Sequence, residues 1–332
     1  MTAQRASVKD VALLAGVSVG TVSNVLNRPE SVTDKTRTRV EQAMAQLNFH
    51  RNASARQLRA GVSRTVGVIV MDVGNPYYTE LARGIEDRLA ADDHTLILCS
   101  SDDDPRREAR FLRLLAEQGV RGVLVTPMAT TLERLGDLRR LGIPSVLMDS
   151  SSRHHTSVGV DHVSGGRQAI SHLLQQGHRR ILFVAGAADL QQTRHRLRGA
   201  IEAIQAAGLD PVDVLQVVNL TNLTANDGQR ALAEVLDADR PAPTAVFAIN
   251  DIVALGVMRE LRLRRLSIPR DVAVVGYDDL YFASELMTPL SSVRQPMRQL
   301  GWAAADLLLT DHPHSLFEPE LVVRASSDFH RD

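Results

Sequence analysis

The N-terminal part of the fold is decided by residues 7–61, which read SVKDVALLAGVSVGTVSNVLNRPESVTDKTRTRVEQAMAQLNFHRNASARQLRAG. Ser7 is a good helix N-cap, and Asp10 follows three positions later, where its carboxylate can complete a near capping box. Apolar residues recur at helical spacing from there to Ala15, and Gly16 is the residue type that most often ends a helix. This stretch therefore predicts a first helix that begins after Ser7 and stops at Gly16.

A second and a third helix follow at short range. Ser18 caps the second helix, which turns Val22, Val25 and Leu26 inward. Thr33 caps the third helix, whose inward residues are Val40, Ala43, Met44 and Leu47. Two helices joined by a corner that contains glycine form a helix-turn-helix, and its second helix can enter the major groove of DNA.

Charge separates this head from the rest of the chain. Residues 1–60 hold nine Lys and Arg against four Asp and Glu, a net charge of about +5, whereas the whole chain of 332 residues carries −1. Both lysines, Lys9 and Lys35, lie in the head. A basic module on a mildly acidic body is typical of a phosphate-binding head joined to a sensor.

Residues 16–20 read GVSVG and match the G-x-S-x-G motif of a hydrolase nucleophile. That motif needs a buried strand before the serine, whereas the residues before Ser18 have helical spacing, so we interpret Ser18 as a helix cap. Asp278 and Asp279 could suggest a catalytic pair of carboxylates, but adjacent residues at a strand end point in opposite directions and would not act together. We therefore expect the chain not to be an enzyme. We also expect it to use no cofactor.

The strings AGVSVGTVSNVLN, VTDKTRTRVEQAMAQLNF and RNASARQLRAG resemble the lactose repressor family of bacterial transcription regulators, and the resemblance extends over nearly the whole chain. It implies that the DNA phosphates are held by Ser18, Thr21, Ser23 and Asn27. It implies that the bases are faced by Val19, Gly20 and Asn24. Val19 can touch a thymine methyl group, Gly20 offers only its backbone, and Asn24 can pair with adenine or contact a phosphate. Because these three residues offer few direct contacts to bases, the shape of the DNA should contribute more to sequence specificity.

Residues 52–61 are expected to form a short hinge helix that stops at Gly61. A lone helix of this length is marginal in water, so we expect it to fold when two copies pack in the minor groove. The resemblance places Leu58 as an apolar wedge between central base pairs, a device that bends the duplex. It is flanked by Asn52, Ala55 and Arg59. The alternative is that Leu58 covers the core below.

From residue 62 onward, short apolar runs alternate with amphipathic helical patterns. The apolar runs lie at 65–70, 95–100, 122–127, 144–149, 180–186, 214–220, 245–250 and 272–278. Such alternation predicts parallel sheets that are covered by helices on both faces. The resemblance adds an α/β periplasmic-binding-protein-like body of two doubly wound parallel-sheet lobes, with a chain that crosses between the lobes three times.

We therefore expect an all-α helix-turn-helix head at 1–51, a hinge helix at 52–61 and a body for effector binding and dimerisation at 62–332. Lobe 1 is expected at about 62–160 and 293–321, and lobe 2 at about 161–290 and 324–332. The three crossings would fall near 159–162, 290–293 and 321–324.

Ligands in open α/β sheets bind beyond the carboxyl ends of the strands, so polar residues at those ends are the candidates for an effector site. In lobe 1 they are Asp72, Asn75, Tyr77, Tyr78, Ser100 and Asp102. In lobe 2 they are Asp161, Arg196, Asn250 and Asp278, in segments that resemble the family's effector site. Carboxylates, amides, a guanidinium fork and an aromatic face suit a polyol. The sequence therefore predicts a sugar effector.

These features predict a homodimeric repressor of a carbohydrate-utilisation operon, which a small sugar releases from a two-fold operator in double-stranded DNA. A purine or nucleoside corepressor is the alternative within this class. A solute-binding protein would share the body but would carry an export signal and no helix-turn-helix. Since neither an export signal nor a long apolar run is present, we expect a cytoplasmic protein with no membrane partner. We expect no metal site, because the histidines lack ligand partners at suitable spacing.

Replacing Leu58 tests the wedge. We expect Leu58→Ala to weaken binding to a selected operator by at least about tenfold, because the unstacked base step is no longer filled, while the body keeps its ligand affinity. Leu58→Met keeps an apolar side chain and should bind DNA nearly as well as the wild type. Equal operator affinities of wild type and Leu58→Ala, measured by fluorescence anisotropy, would exclude the wedge.

Overall fold

The computed structural model describes residues 6–49, 63–128, 130–152, 154–310 and 315–328. It divides into two compact units, 1–63 and 64–332. The first unit is the helical head, and the second holds both sheets of the body.

Three α-helices form the head: α1 (Val8–Ala15), α2 (Val19–Asn27) and α3 (Asp34–Gln46). The predicted capping box at α1 is present, because Ser7 Oγ accepts the N–H of Asp10 and the Asp10 carboxylate accepts the N–H of Ser7 at 2.7 Å. Gly16 ends α1 in a left-handed conformation with φ of +62°. The axes of α1 and α2 are bent by 105°, as in a helix-turn-helix. In the described ranges no single helix is long and apolar enough to cross a membrane, although this bent pair meets that test jointly.

The core of the head is small and apolar. Val11, Val22 and Val40, one from each helix, are completely buried, as their helical spacing predicts. Thr33 precedes α3 as expected but does not cap it. Its hydroxyl lies 3.0 Å from the hydroxyl of Thr36 and makes no bond to a backbone N–H of the helix.

Lobe 1 of the body is a parallel sheet between two helical layers. Its strands are β1 (Thr65–Val70), β2 (Thr95–Ser100), β3 (Gly122–Val125), β4 (Ser145–Met148), β5 (Ser157–Val160) and β11 (Ser315–Phe317), in the order β11-β5-β4-β3-β1-β2. Its helices are α4 (Pro76–Ala90), α5 (Pro105–Glu117), α6 (Thr131–Arg140) and α12 (Met297–Leu309). Val68 of β1 joins the core with α4 and α12, whereas its neighbour Ile69 joins the core with α5 and α6. Both faces of the sheet are therefore covered.

Lobe 2 repeats this plan. Its strands are β6 (Ile181–Ala185), β7 (Leu215–Asn219), β8 (Ala245–Ala248), β9 (Ala273–Asp278), β10 (Ser291–Arg294) and β12 (Glu320–Val322), in the order β12-β10-β9-β8-β6-β7. Its helices are α7 (His162–Gln175), α8 (Gln191–Ala206), α9 (Pro211–Val214), α10 (Ala225–Asp237) and α11 (Asp251–Leu263). The edge strand β12 pairs antiparallel with β10, an exception to the expected parallel sheet. Phe183 and Phe247 stack at 4.8 Å in the core of the lobe.

The crossings between the lobes differ from the expected positions in two of three cases. The first follows β5, within the expected segment 159–162. The second follows Arg294 rather than falling at 290–293, because β10 pairs with β9 in lobe 2. The third lies at 318–319 rather than 321–324, between β11 of lobe 1 and β12 of lobe 2. These strands are three or four residues long, too short for a clear apolar pattern.

Three helix pairs meet backbone to backbone at glycines. A Cβ on Gly166 of α7 would lie 2.1 Å from the carbonyl oxygen of Arg196 on α8, and a Cβ on Gly199 of α8 would lie 1.9 Å from that of Val163 on α7. The pairs α4–α12 and α10–α11 repeat the arrangement with Gly84 and Gly301, and with Gly228 and Gly256. Real Cβ atoms essentially never come so close to another atom, so each crossing requires its glycines.

Alanine substitutions separate this packing role from helix propensity. Gly199→Ala should destabilise the body by about 1–3 kcal/mol, because α7 and α8 must move apart. Gly136→Ala is the control: it also lies within a helix, α6, but its Cβ would meet no atom closer than 4.0 Å. That variant should gain about 0.5–1 kcal/mol from the lower entropy of its unfolded chain. Denaturant unfolding measures both, and equal changes would contradict the packing argument.

Candidate DNA interface and ligand cleft

The exposed side of α2 carries the residues predicted to face bases. Val19 is 43 % exposed, and Gly20 and Asn24 are exposed as well. Val22 and Val25, on the opposite side, are buried in the core of the head. The helix therefore turns Val19, Gly20 and Asn24 outward, as contact with the major groove requires.

The residues predicted to hold phosphates lie along the same helix. Ser18 Oγ accepts the N–H of Thr21 at 3.0 Å and lies 2.9 Å from its hydroxyl. Asn27 donates from Nδ2 to the backbone oxygen of Ser23 at 2.9 Å. Short polar side chains beside a helix N-terminus suit phosphate oxygens. The other predicted DNA contacts, Asn52, Ala55, Leu58 and Arg59, lie outside the described residues.

A cavity of about 300 Å³ lies between the two lobes of the body. It is bounded by the carboxyl ends of β1 and β2 in lobe 1 and of β8 and β9 in lobe 2, where open α/β sheets bind ligands. Of its nineteen lining residues, thirteen are polar. The cleft is therefore suited to a ligand that is rich in hydrogen-bonding groups.

Eight of the ten residues predicted for the effector site line this cavity: Asp72, Asn75, Tyr77, Tyr78, Asp102, Arg196, Asn250 and Asp278. Ser100 and Asp161 do not, although both stand at strand ends. The Ser100 hydroxyl donates to Asp102 and so orients a carboxylate of the cavity. Asp161 is the N-cap of α7 and accepts the N–H of Ser164 at 2.9 Å. Both side chains are used locally.

Sequence reasoning missed several lining residues, among them Asp149, Gln192 and Gln295. Asp149 follows β4, which the sequence did predict, so the rule of strand ends could have found it. Gln192 lies in the first turn of α8 rather than at a strand end. Gln295 follows β10, whose sequence SSVR gives no apolar run.

Arg196 is the only cationic side chain among the described residues that line the cavity. Its guanidinium lies over Tyr277, with Cζ 3.5 Å from the ring centroid, and donates to the carbonyl oxygen of Ile249. It also approaches Nδ1 of His162 at 3.4 and 3.5 Å. These contacts hold the guanidinium in one orientation and leave its other N–H groups for a ligand.

His162 of lobe 2 joins Arg196 to Asp149 of lobe 1. Nδ1 accepts from Arg196 and lies 3.1 Å from the Tyr277 hydroxyl, so Nε2 carries the proton that it donates to Asp149 at 2.9 Å. Burial lowers the pKa of His162, which favours this neutral ring. Gln192 of lobe 2 donates to the backbone oxygen of Asp149 at 2.9 Å. Hydrogen bonds therefore tie the lobes together at the floor of the cleft.

Asp278 and Asp279 point in opposite directions, as the sequence predicted. Asp278 accepts from Gln295 at 2.7 Å in the cleft, whereas Asp279 accepts from Arg324 at 2.6 Å. Burial raises the pKa of Asp278 to about 7, although Arg196 and the hydrogen bond from Gln295 oppose the shift. This carboxyl group therefore titrates near neutral pH.

Four aspartates of the cleft share an unusual backbone conformation. Asp102, Asp103, Asp149 and Asp278 have φ angles of +50°, +54°, +51° and +105°. Positive φ is uncommon outside glycine, and such strain is concentrated at ligand sites. At these strand ends the backbone itself is shaped for the site.

Two buried polar atoms of the cleft have no hydrogen-bond partner within the described part of the chain. They are Tyr77 Oη and Gln295 Oε1, in residues that are 3 % and 2 % exposed. Because buried polar groups are normally paired, these atoms are available to a ligand. Among the described residues, no group of three or more His, Cys, Asp or Glu side chains is arranged to hold a metal ion.

A helix-turn-helix head on a two-lobed body with a polar cleft defines the class of ligand-controlled, DNA-binding transcription regulators. Residues 7–52 match the family model for bacterial regulatory proteins of the lacI family, and residues 170–327 match the periplasmic binding protein-like domain. The chain belongs to the lacI family.

Relatives and a solved structure cover almost the whole chain. The ribose operon repressor of Bacillus subtilis (strain 168) is 36% identical over 304 residues, which is 92% of this chain and 91% of the relative. The HTH-type transcriptional repressor PurR of Aliivibrio fischeri (strain MJ11) is 33% identical and covers 97% of this chain and 98% of its own length. The lac repressor dimer bound to operator and the anti-inducer ONPF superposes with a TM-score of 0.83 at 27% identity, over 98% of this chain and 99% of that one.

Asp278→Asn removes the carboxyl group that titrates near neutral pH. In the wild type the folded state binds this proton more tightly than the unfolded chain, whose aspartate pKa is about 3.9. Stability is therefore lost as pH rises from about 4 to about 7. The variant has no such carboxyl group and does not lose this stability. Without ligand, its free energy of unfolding should therefore exceed that of the wild type by roughly 1–4 kcal/mol at pH 8, and by a smaller amount at pH 5. Denaturant unfolding at both pH values measures this, and a difference that does not change with pH would contradict it.

Proposed function

We propose that this regulator represses a carbohydrate-utilisation operon and that a small sugar, bound in the cleft, releases it from its operator. The observation that carries this proposal is the polar lining of the cleft, thirteen residues of nineteen. Adjacent hydroxyl groups need closely spaced donors and acceptors on several sides, which such a lining offers. The similarity to a ribose operon repressor supports the same class of effector.

The floor of the cleft has the parts that a sugar ring requires. Arg196 offers N–H donors, and Asp278 accepts from hydroxyl groups. Tyr77 Oη and Gln295 Oε1 lack partners that ring hydroxyls can supply. Tyr77 and Tyr78 pack edge to face at 5.0 Å and give the apolar side of a ring an aromatic surface. Because Tyr77 belongs to lobe 1 and Arg196 to lobe 2, one ligand contacts both lobes.

Control of DNA binding follows from this shared contact. A ligand that touches both lobes stabilises the arrangement in which they are close, by its differential affinity for the two states. We propose that lobe closure shifts the first lobes across a dimer interface and separates the two hinge segments, 52–61. The regulator acts by binding alone, without a chemical step.

A homodimer is required to read a two-fold operator, and the similar lac repressor structure is a dimer bound to operator. Lobe 2 exposes several large apolar side chains, among them Met287, which is 94 % exposed, and Leu263 and Tyr281. We place the working dimer on operator DNA in the cytoplasm.

Arg196→Ala tests the sugar site. It removes the cation of the cleft, so D-ribose at concentrations that release the wild type should no longer release the variant, while operator affinity stays within about twofold. Arg198→Ala is the control, because Arg198 lies on the same helix but is exposed and pairs with Glu202 at 2.8 Å. Fluorescence anisotropy of a labelled operator measures release. Normal release of Arg196→Ala by the same sugar would contradict the assignment.

The pair of tyrosines in the cleft, Tyr77 and Tyr78, favours a purine as the second candidate effector, because their rings offer an aromatic surface to a planar base. A thermal-shift panel of D-ribose, D-glucose, hypoxanthine and guanine on the wild type distinguishes the two. Stabilisation grows with the logarithm of the ratio of ligand concentration to Kd. A shift with purines alone would replace the sugar proposal by a purine corepressor.

A further inference from the structure

We propose that the cleft selects its effector by charge: an acidic mouth on lobe 1, formed by Asp72, Asp102 and Asp103, excludes phosphorylated sugars and admits neutral ones. This inference rests on the proposed function, since it concerns the same sugar site.

The charges around the cleft favour this selection. Five aspartates line it: the three of the acidic mouth together with the buried Asp149 and Asp278. Arg196 is the one lining cation in the described ranges, so a single positive charge, part of whose hydrogen bonding goes to Ile249 and His162, stands against five carboxyl groups. A phosphate group carries a charge of about −1.5 to −2 at pH 7 and would enter a cleft of its own sign.

The acidic mouth is only partly neutralised. Asp102 forms an ion pair with Arg107, whereas Asp72 and Asp103 have no cationic partner in the part of the chain that is described. Desolvation, together with repulsion from Asp72 and Asp102, raises the pKa of Asp103. The carboxylates therefore already repel one another before a ligand arrives.

Most of the other usual hosts for phosphate are occupied or absent. Helix N-termini bind anions through free N–H groups; at the cleft the N-termini of α4 and α11 are capped by side chains, whereas the N-terminus of α8, preceded by Leu190, has no side-chain cap. Asn75 accepts the N–H of Tyr77 at 2.9 Å at the start of α4, and Asn250 accepts that of Val253 at 2.9 Å at the start of α11. The body contains no lysine at all, since both lysines of the chain precede residue 36.

The buried floor points to a ligand that donates protons. Gln295 Oε1 is fully buried, lacks a partner in the described part of the chain and can only accept. Asp149 and Asp278 are acceptors too when ionised. A hydroxyl group supplies the donor that these atoms need, whereas a dianionic phosphate supplies none. The cleft therefore matches a neutral polyol in both charge and hydrogen bonding.

Calorimetry on the full-length protein tests the proposal with D-ribose and D-glucose against D-ribose 5-phosphate and D-glucose 6-phosphate at pH 7.5. For whichever of the two sugars binds, the neutral form should bind at least about a hundredfold more tightly than its phosphorylated form, because like charges in contact cost several kcal/mol. Raising NaCl from about 0.05 M to about 0.5 M should improve phosphate binding by screening and leave the neutral sugar unchanged. A phosphorylated sugar that binds as tightly as its neutral form would overturn the charge selection. Failure of all four sugars to bind would instead overturn the proposed function.

A variant pair assigns the selection to the acidic mouth. Asp103→Asn should narrow the ratio of the two affinities by about tenfold, as one repelling charge is lost. Asp93→Asn is a matched control, because Asp93 also has positive φ, at +55°, lies in lobe 1 and does not line the cavity. It removes the same charge and should leave the ratio unchanged. If both variants reduced the ratio of neutral-sugar to phosphorylated-sugar affinity equally, the net charge of the protein, and not the acidic mouth, would set the preference for the neutral sugar.

Discussion

The ligand cleft depends on a contact between two backbones rather than between two side chains. Gly166 of α7 lies against the carbonyl oxygen of Arg196 on α8, and Gly199 lies against α7 in return. With larger residues these helices would stand further apart, and His162 at the start of α7 would lose the guanidinium that it accepts from. Helix packing thus sets the orientation of Arg196, and the chemistry of the cleft follows from it.

The same cluster of residues makes ligand binding and lobe closure a single process. Hydrogen bonds join the lobes here: Gln192 of lobe 2 donates to the backbone oxygen of Asp149 at 2.9 Å, and Ser150 of lobe 1 donates to Gln191 at 3.0 Å. Both lie close to the place where a ligand would meet Arg196. A ligand that orders these side chains also orders the boundary between the lobes. Coupling of this kind is a free-energy difference between two arrangements, and these bonds are part of that difference.

Local patterns in the sequence were sufficient for the helices of the head and for most strands of the body. The cap at Ser7 and the stop at Gly16 are short-range features, and the structure has both. Long-range choices were harder. Asp149 and Asp161 both follow strands, yet only Asp149 enters the cavity, because the N-terminus of α7 takes the other carboxylate. The strand β10, with the sequence SSVR, also lacks a periodic apolar pattern. The position of the second crossing is therefore seen only from the pairing of β10 with β9.

The positive φ angles of the four aspartates in the cleft have a consequence for how the ligand specificity of such a protein can change during evolution. Asparagine is the other residue that commonly adopts positive φ, so an exchange of aspartate for asparagine at Asp102, Asp103, Asp149 or Asp278 keeps the backbone and changes only the charge. Descendants of one ancestor could therefore exchange one class of metabolite for another by single substitutions at strand ends, while the helix crossings and sheets stay untouched. The strained positions are then the places where inherited specificity is most easily rewritten.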